Sequence, residues 1–466
     1  MSEATVIHDT AFGNHRAALR GEVLLPRDAG YDDARQTFNA MIDHRPALIA
    51  RCAGAADVVA CVDFARASAL DVSIRAGGHN VSGKAVCEGG LMIDLAPMKG
   101  ARVDPQHRTV RAEPGLTLGE FDRDCQRFGL ATPTGIVSAT GLAGLTLGGG
   151  IGWLGGKHGL ACDNLLSVDI VTAAGRLLTA SATEHPDLFW AVRGGGANLG
   201  AITSFEFRLH EVGPVLGGAV VWPLHQARPV LRFYDEFARA CPDELSVNAA
   251  FATAEDGTPV LAIAVAWIGP LDAGERWLKP LRACESPLAD AIAPMSYVDL
   301  QAGGDAAFPR GRRHYWKAGF LRRLGPEAID LLVHFAATRP SPHTMIALQQ
   351  MHGAAARVSP AETAFAHRHD QWDCMVLAQW DQPDADERNI RWTRDLHAQM
   401  EPHLDGGVYV NDLGGDEGDR VRAAYGANYD RLAAIKAKYD PENFFRWNQN
   451  VPTGSRREEP ASPRPS

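Results

Sequence analysis

Glycines, with one histidine among them, mark where this chain could do chemistry. Of its 47 glycines, many gather in three segments. The first, Ser73-Ile-Arg-Ala-Gly-Gly-His-Asn-Val-Ser-Gly83, runs off a strand-like apolar stretch and holds Arg75, Ala76, Gly77, Gly78, His79, Asn80 and Gly83. The second runs from Gly141 to Gly156 and includes Gly144, Gly148, Gly149, Gly150, Gly152 and Trp153. The third is Arg193-Gly-Gly-Gly-Ala-Asn-Leu-Gly200, with Asn198 near its end. Segments without Cβ atoms let several backbone N–H groups converge on an anion, and let the chain lie flat against an aromatic ring. A cofactor carrying a pyrophosphate fits both uses. Any one segment alone reads as a tight turn; three in one half of the chain, one abutting a strand end, read better as a ligand cradle. Gly150-Ile-Gly-Trp-Leu-Gly155 is literally GxGxxG, but glycines precede it where a buried strand should, and no βαβ unit surrounds it. A Rossmann fold is therefore rejected.

Two later stretches carry polar groups on apolar backgrounds. In Val408 to Asn411 a period of two puts Tyr409 and Asn411 on one face and the two valines on the other. That pair faces either solvent or a ligand, and the residues alone do not choose. In Gln371 to Trp380 the residues Gln371, Asp373, Met375, Leu377 and Gln379 share a face. A carboxyl buried among such neighbours has a raised pKa, useful to a base near neutral pH. Tyr315, Lys317, Gln349 and His352, on or beside other strands, are further candidates for a shared cavity.

The elements that must position these groups follow from periodicity. Pro46 to Cys52 and Val72 to Arg75 read as short buried strands around a helix at Ala56 to Ala69. Strands are expected at Ser167 to Thr172, Leu177 to Thr179 and Ala201 to Leu209. After Glu211-Val-Gly-Pro214 the texture changes to longer strands, at 218–222, 246–253, 259–267, 314–320, 344–351, 371–380 and 408–411. Helices fall between them at 225–240, 272–283, 326–338 and 386–401, which implies an antiparallel sheet covered on one face. A last helix is expected over Arg420 to Lys438, ended by Asp440-Pro441.

Composition narrows the function. The net charge of −10 offers no overall attraction to nucleic acid or anionic membrane. The eight cysteines form no CxxC pair and no metal pattern is present. The first residues are polar, without a signal-like apolar run, and no stretch is long and apolar enough to span a membrane. A cytoplasmic protein with free thiols is expected. Residues 453–466, TGSRREEPASPRPS, read as a disordered tail.

Arg75-Ala-Gly-Gly-His79, Gly148-Gly-Gly-Ile-Gly-Trp153, Arg193-Gly-Gly-Gly-Ala-Asn198, Tyr409-Val-Asn411 and Asp440-Pro-Glu-Asn-Phe-Phe-Arg-Trp-Asn-Gln-Asn450 together resemble the berberine bridge enzyme-like FAD oxidases of the vanillyl-alcohol oxidase/PCMH type. The similarity is greatest to the bacterial branch that includes 6-hydroxy-D-nicotine oxidase, and it extends over nearly the whole chain. It implies an α+β fold: a two-lobed PCMH-type FAD-binding domain over 20–212, a substrate domain with a helix-covered antiparallel sheet over 213–412, and a return over 413–452 that completes the FAD domain. It places FAD against the three glycine segments, Thr140, Ile202, Tyr409, Asn411, Asn448 and Asn450. It implies a covalent bond from His79 to the flavin 8α-methyl carbon. Many relatives add a second link through a cysteine in G-x-C-x-x-x-G; here that segment is Gly135-Ile-Val137-Ser-Ala-Thr-Gly141, so a single link is expected. Thr140 borders the flavin in relatives, where it would affect oxygen access, or is a plain turn residue.

The activity implied is hydride transfer from a small-molecule alcohol or amine C–H to flavin N5, with molecular oxygen as the electron acceptor and hydrogen peroxide as product. Asp373, Tyr409, Asn411 and Asp412 are the candidates for proton handling and substrate orientation. Asp373 matches an acidic base of some relatives, whereas Asp412 stands where others place a tyrosine base. A dehydrogenase with another acceptor and a non-catalytic flavin protein are the alternatives.

Overall fold

A computed structural model describes residue 16 and residues 19–453. The start of the chain, read above as free of a signal, and the tail after Thr453 lie outside the described residues. Thr453 itself is packed, its hydroxyl donating to the Pro441 carbonyl at 3.0 Å.

Two small sheets come from the first half. Strands β1 (Glu22–Leu24), β2 (Leu48–Arg51), β3 (Val72–Arg75) and β4 (Leu91–Asp94) form one sheet in the order β1-β2-β4-β3, with β2 and β3 parallel to β4. Helix Ala55–Ala67 makes the crossover and buries Val58, Cys61, Val62 and Ala65 on it. The second sheet is antiparallel. It holds β5 (Ala101–Asp104), β6 (Thr109–Ala112), β7 (Leu165–Thr172), β8 (Leu177–Ser181) and β9 (Gly200–Arg208) in the order β5-β6-β9-β7-β8. The short strands at 22–24, 91–94, 101–104 and 109–112 are absent from the sequence reading.

Residues 215–380 build a larger antiparallel sheet from β10 (Val215–Pro223), β11 (Leu245–Thr253), β12 (Pro259–Trp267), β13 (Arg313–Leu321), β14 (Met345–Met351) and β15 (Gln371–Trp380). These six run β10-β12-β11-β14-β15-β13, with two short strands pairing the outer edge of β10. Helices Ala227–Ala240, Pro326–Ala337 and Asp386–Met400 cover one face. All ten residues of β15 are buried, because the other face is covered as well. Trp372, Cys374 and Val376 pack under the helices, while Met375 and Leu377 join the core of the antiparallel glycine-rich lobe.

The chain then returns to that lobe. Val408, Val410, Leu413, Val421, Tyr425, Leu432 and Ile435 all enter its core. Val408–Asn411 is not a strand. Val410–Asp412 makes a single 3-10 turn, closed by the Asp412 N–H on the Tyr409 carbonyl at 3.0 Å. Pairing with the edge strand β13 ends just before it, where the Phe320 N–H donates to the Gly407 carbonyl at 3.1 Å. The last helix is likewise divided, into Val421–Tyr425 and Tyr429–Tyr439 with Gly426 at the break. Lys436, fully buried, secures the return: its ammonium reaches Asp440 at 2.5 Å, the Asn198 carbonyl at 2.6 Å and the Phe445 carbonyl at 3.0 Å.

Candidate active site

A long cavity lies where the two small sheets, the large sheet and the returning chain meet. Ala76, Gly77, Gly78, His79 and Asn80 form its wall at the end of β3. Opposite stand Thr140, Gly141 and Gly144. The helix Leu118–Gln126, capped by a reciprocal Thr117–Glu120 pair, fixes that segment: the Leu118 and Gly119 N–H groups donate to the carbonyls of Thr140 and Ser138, each at 2.9 Å. The two glycine segments cross backbone to backbone. A Cβ on Gly77 would sit 2.5 Å from the Gly141 Cα, and one on Gly141 would sit 2.7 Å from the Gly77 Cα, so neither position admits any other residue. Gly200, Ile202 and Asn448 continue the wall toward the other end.

His79 is half-buried in this wall with its ring stacked on Phe38, centroids 4.0 Å apart, and Phe38 stacks in turn on His314. Its Nε2 has no hydrogen-bond partner. Burial, reinforced by the charge of Arg310, lowers its pKa to about 4, so the ring is neutral at physiological pH. A neutral imidazole with an unengaged nitrogen is a nucleophile held in place.

At the inner end Tyr409, Asn411 and Asp412 converge. Asn411 Nδ2 donates to the Tyr409 hydroxyl at 2.7 Å and to the Leu145 carbonyl at 3.2 Å, and the Gly150 N–H donates to the same hydroxyl at 2.9 Å. Tyr409 and Asn411 thus do meet, through a turn and not through strand alternation. Burial nevertheless dominates and raises the Tyr409 pKa, keeping the phenol protonated. Asp412 lines the cavity, and burial raises its carboxyl to about 6. Asp373 lies behind it, fully buried, and is no part of the cavity wall. Burial, then the charge of Asp412, pushes Asp373 well above the carboxylate range. Neither Asp373 oxygen has a hydrogen-bond partner as two carboxylates. A proton shared between the two acids supplies the missing donor.

Several expected cofactor residues stand behind the wall instead of in it. Arg75 turns away to pair with buried Asp94 at 2.8 Å. Gly83 packs against Ile42, Gly149 against Phe365, and Gly152 against the Thr134 carbonyl. Gly148 makes room for Asn411, since a Cβ there would fall 2.2 Å from its Oδ1, and Gly150 contributes its N–H to Tyr409. Trp153 packs in a core with Tyr297 and Leu300. Asn198 ties Gly195, Gln449 and Val451 together, and the Asn450 side-chain oxygen is buried without a partner. The second glycine segment is therefore largely a packing device, with Gly141 and Gly144 its cavity-facing members.

Of the four strand candidates only Gln349 lines the cavity. Tyr315 and Lys317 point to the helix-covered face and bond Asp416, while Trp316, paired opposite Leu377, faces inward. His352 lines a second cleft. The arginines of that cleft, Arg239, Arg322, Arg357 and Arg368, are already ion-paired. Phe308, Trp316, Lys84 and Tyr425 line the main cavity without having been foreseen. The inward phase of Trp316 is readable only once its partner strand is known.

A glycine cradle, a neutral half-buried histidine and a pair of buried acids around one cavity fit a flavin-dependent oxidoreductase, with FAD as the cofactor the residues suit. Comparison with known proteins agrees. Residues 46–181 match the model of an FAD binding domain, and residues 408–452 match that described as berberine and berberine like. An FAD-linked oxidoreductase of Dictyostelium discoideum is 32% identical over 424 residues, 90% of this chain and 91% of that one. The (R)-6-hydroxynicotine oxidase of Paenarthrobacter nicotinovorans is 32% identical over 455 residues, 94% and 98% of the two chains. The crystal structure of 6-hydroxy-D-nicotine oxidase from Arthrobacter nicotinovorans superposes with a TM-score of 0.85 at 30% identity, covering 93% of this chain and 98% of that one. The chain belongs to the berberine bridge enzyme-like family of FAD-linked oxidoreductases. Among the described residues no helix is long and apolar enough to cross a membrane.

Proposed function

We propose that the protein is an oxidase of a small-molecule alcohol or amine: His79 would hold FAD by a single bond, and the bound flavin would supply the acceptor for the substrate C–H hydride and the route of its electrons to dioxygen, giving hydrogen peroxide. The observation that carries this reading is the His79 ring, neutral and with Nε2 unengaged at the cavity wall. Single linkage is supported by Val137 lining the cavity where a second linking residue would stand, and by the absence of any cysteine from the lining. Asp412 accepts the substrate O–H or N–H proton, and Asp373 behind it holds the shared proton of the pair. Tyr409, fixed by Asn411 and the Gly150 N–H, donates its hydroxyl proton toward the substrate. Phe308, Trp316, Met375 and Leu377 exclude water from the same end. The proposed domain division is an FAD-binding part from 20 to 212, completed by the returning chain, around a substrate part.

The test is direct. Acid-precipitated protein retains yellow flavin, and His79→Ala releases it; release from the unmodified protein refutes the linkage. Reoxidation in air must outpace reoxidation by a quinone. Slow reaction with dioxygen makes the protein a dehydrogenase.

A further inference from the structure

Lys84 is the one lysine or arginine lining the main cavity among the described residues. It follows the first glycine segment, and its half-buried ammonium donates to the Gln449 side-chain oxygen at 2.7 Å. That amide is aimed, not free to swing, because Gln449 is buried and its Nε2 donates to the Leu413 carbonyl at 2.8 Å. One neutral acceptor satisfies one of three ammonium donors. None of the ion pairs of the described residues includes Lys84, and the only carboxyl in the cavity wall, Asp412, is engaged with Asp373. Burial alone lowers the Lys84 pKa to about 8, so it remains mostly charged at neutral pH. A half-buried cation without a counter-charge is costly, and the cavity is where its counter-charge must come from.

Apart from Lys84, the nearest cation is Arg310, which lies outside the lining and donates to the Gly77 carbonyl at 2.8 Å. The first two glycine segments of the cradle present backbone, and His79 is neutral. A diphosphate brings negative charge that backbone N–H groups solvate but do not neutralise. We propose that Lys84 forms an ion pair with the pyrophosphate of the bound dinucleotide, an assignment that rests on the FAD reading above. The pairing completes the ammonium's donors and gives the phosphates a full positive charge from the polypeptide.

The experiment is phosphorus NMR of the flavin-loaded protein from pH 6 to 11. In the unmodified protein a pyrophosphate resonance shifts with a midpoint above the 8 of the unpaired lysine and toward its ordinary 10.5, since the anion favours the charged amine. In Lys84→Met that titration is lost while the flavin midpoint potential is unchanged. An identical titration in Lys84→Met overturns the assignment. So does a fall in flavin potential with unaltered phosphorus shifts, which would put the ammonium at the ring. Lys84→Arg keeps the charge and covers the case in which Lys84→Met loses its flavin: it must retain flavin and show no titration in this range. Loss of flavin from folded Lys84→Arg overturns the pairing. Unmodified protein purified without flavin would instead overturn the FAD reading itself.

Discussion

Replacing Asp412 by asparagine should make the protein more stable and less active, with a pH dependence that identifies the cause. The fold raises the Asp412 carboxyl from 3.8 to about 6, a preference for the neutral form of about 3 kcal/mol. The folded state therefore binds more protons than the unfolded chain between those two values, and stability drains away as pH rises through that window. Above pH 6 the whole cost is present; below pH 4 it is absent. Asp412→Asn removes it, being neutral at every pH. The unfolding entropy of a chain this long is about 1 kcal/mol per kelvin, so about 3 kcal/mol moves the thermal midpoint by about 3 °C. Differential scanning calorimetry should find the variant about 3 °C above the unmodified protein at pH 7.5 and level with it at pH 4. Anaerobic stopped-flow reduction of the flavin should rise through about pH 6 in the unmodified protein, as the base loses its proton, and lose that limb in the variant. A pH-independent midpoint difference, or a destabilised variant, would refute the buried-acid argument.

Two further substitutions probe the frame around the site. Gly77→Ala drives a Cβ into the Gly141 backbone and should yield protein that is insoluble or colourless. Gly144→Leu meets no atom within 4 Å of its Cβ and should fold, but its side chain enters the cavity, so the flavin-to-protein absorbance ratio should fall while the thermal midpoint holds. Lys436→Met leaves Asp440 buried without its cation and should cost about 3–5 kcal/mol, read as a lowered thermal midpoint. Pairing it with Asp440→Leu should recover most of that loss, and a strictly additive double variant would show that the ion pair is not the cause.

The long strands and helices of the substrate half were legible because their alternation extends over many residues. Pro259–Trp267 and Gln371–Trp380 match the reading end to end. What failed was local. Val408–Asn411 has the alternation of a strand, but the bonds to β13 stop at Gly407 and the chain turns, and period two says nothing about where pairing ends. The Arg420–Lys438 stretch hid a break at Gly426, where a positive φ of 49° interrupts the helix. At the site, the first glycine segment follows a strand and lines the cavity, where a cradle was expected. Gly148, Gly149 and Gly150 stand outside the lining, and a glycine that makes room for Asn411 or Phe365 looks in sequence like one that makes room for a ligand. Whether Asp373 lines the cavity or sits one layer behind it depends on Asp412, 39 residues later in the chain.

The burial of β15 on both faces bears on how such an enzyme could be given a new specificity. Met375 and Leu377 are at once lining of the cavity and members of the flavin lobe's core. The substrate half therefore cannot be exchanged as a cassette without opening an apolar wall on each side of the cut. Retargeting has to proceed side chain by side chain on the inward phase of β13, β14 and β15, with each replacement chosen to satisfy the lobe beneath as well as the molecule to be oxidised.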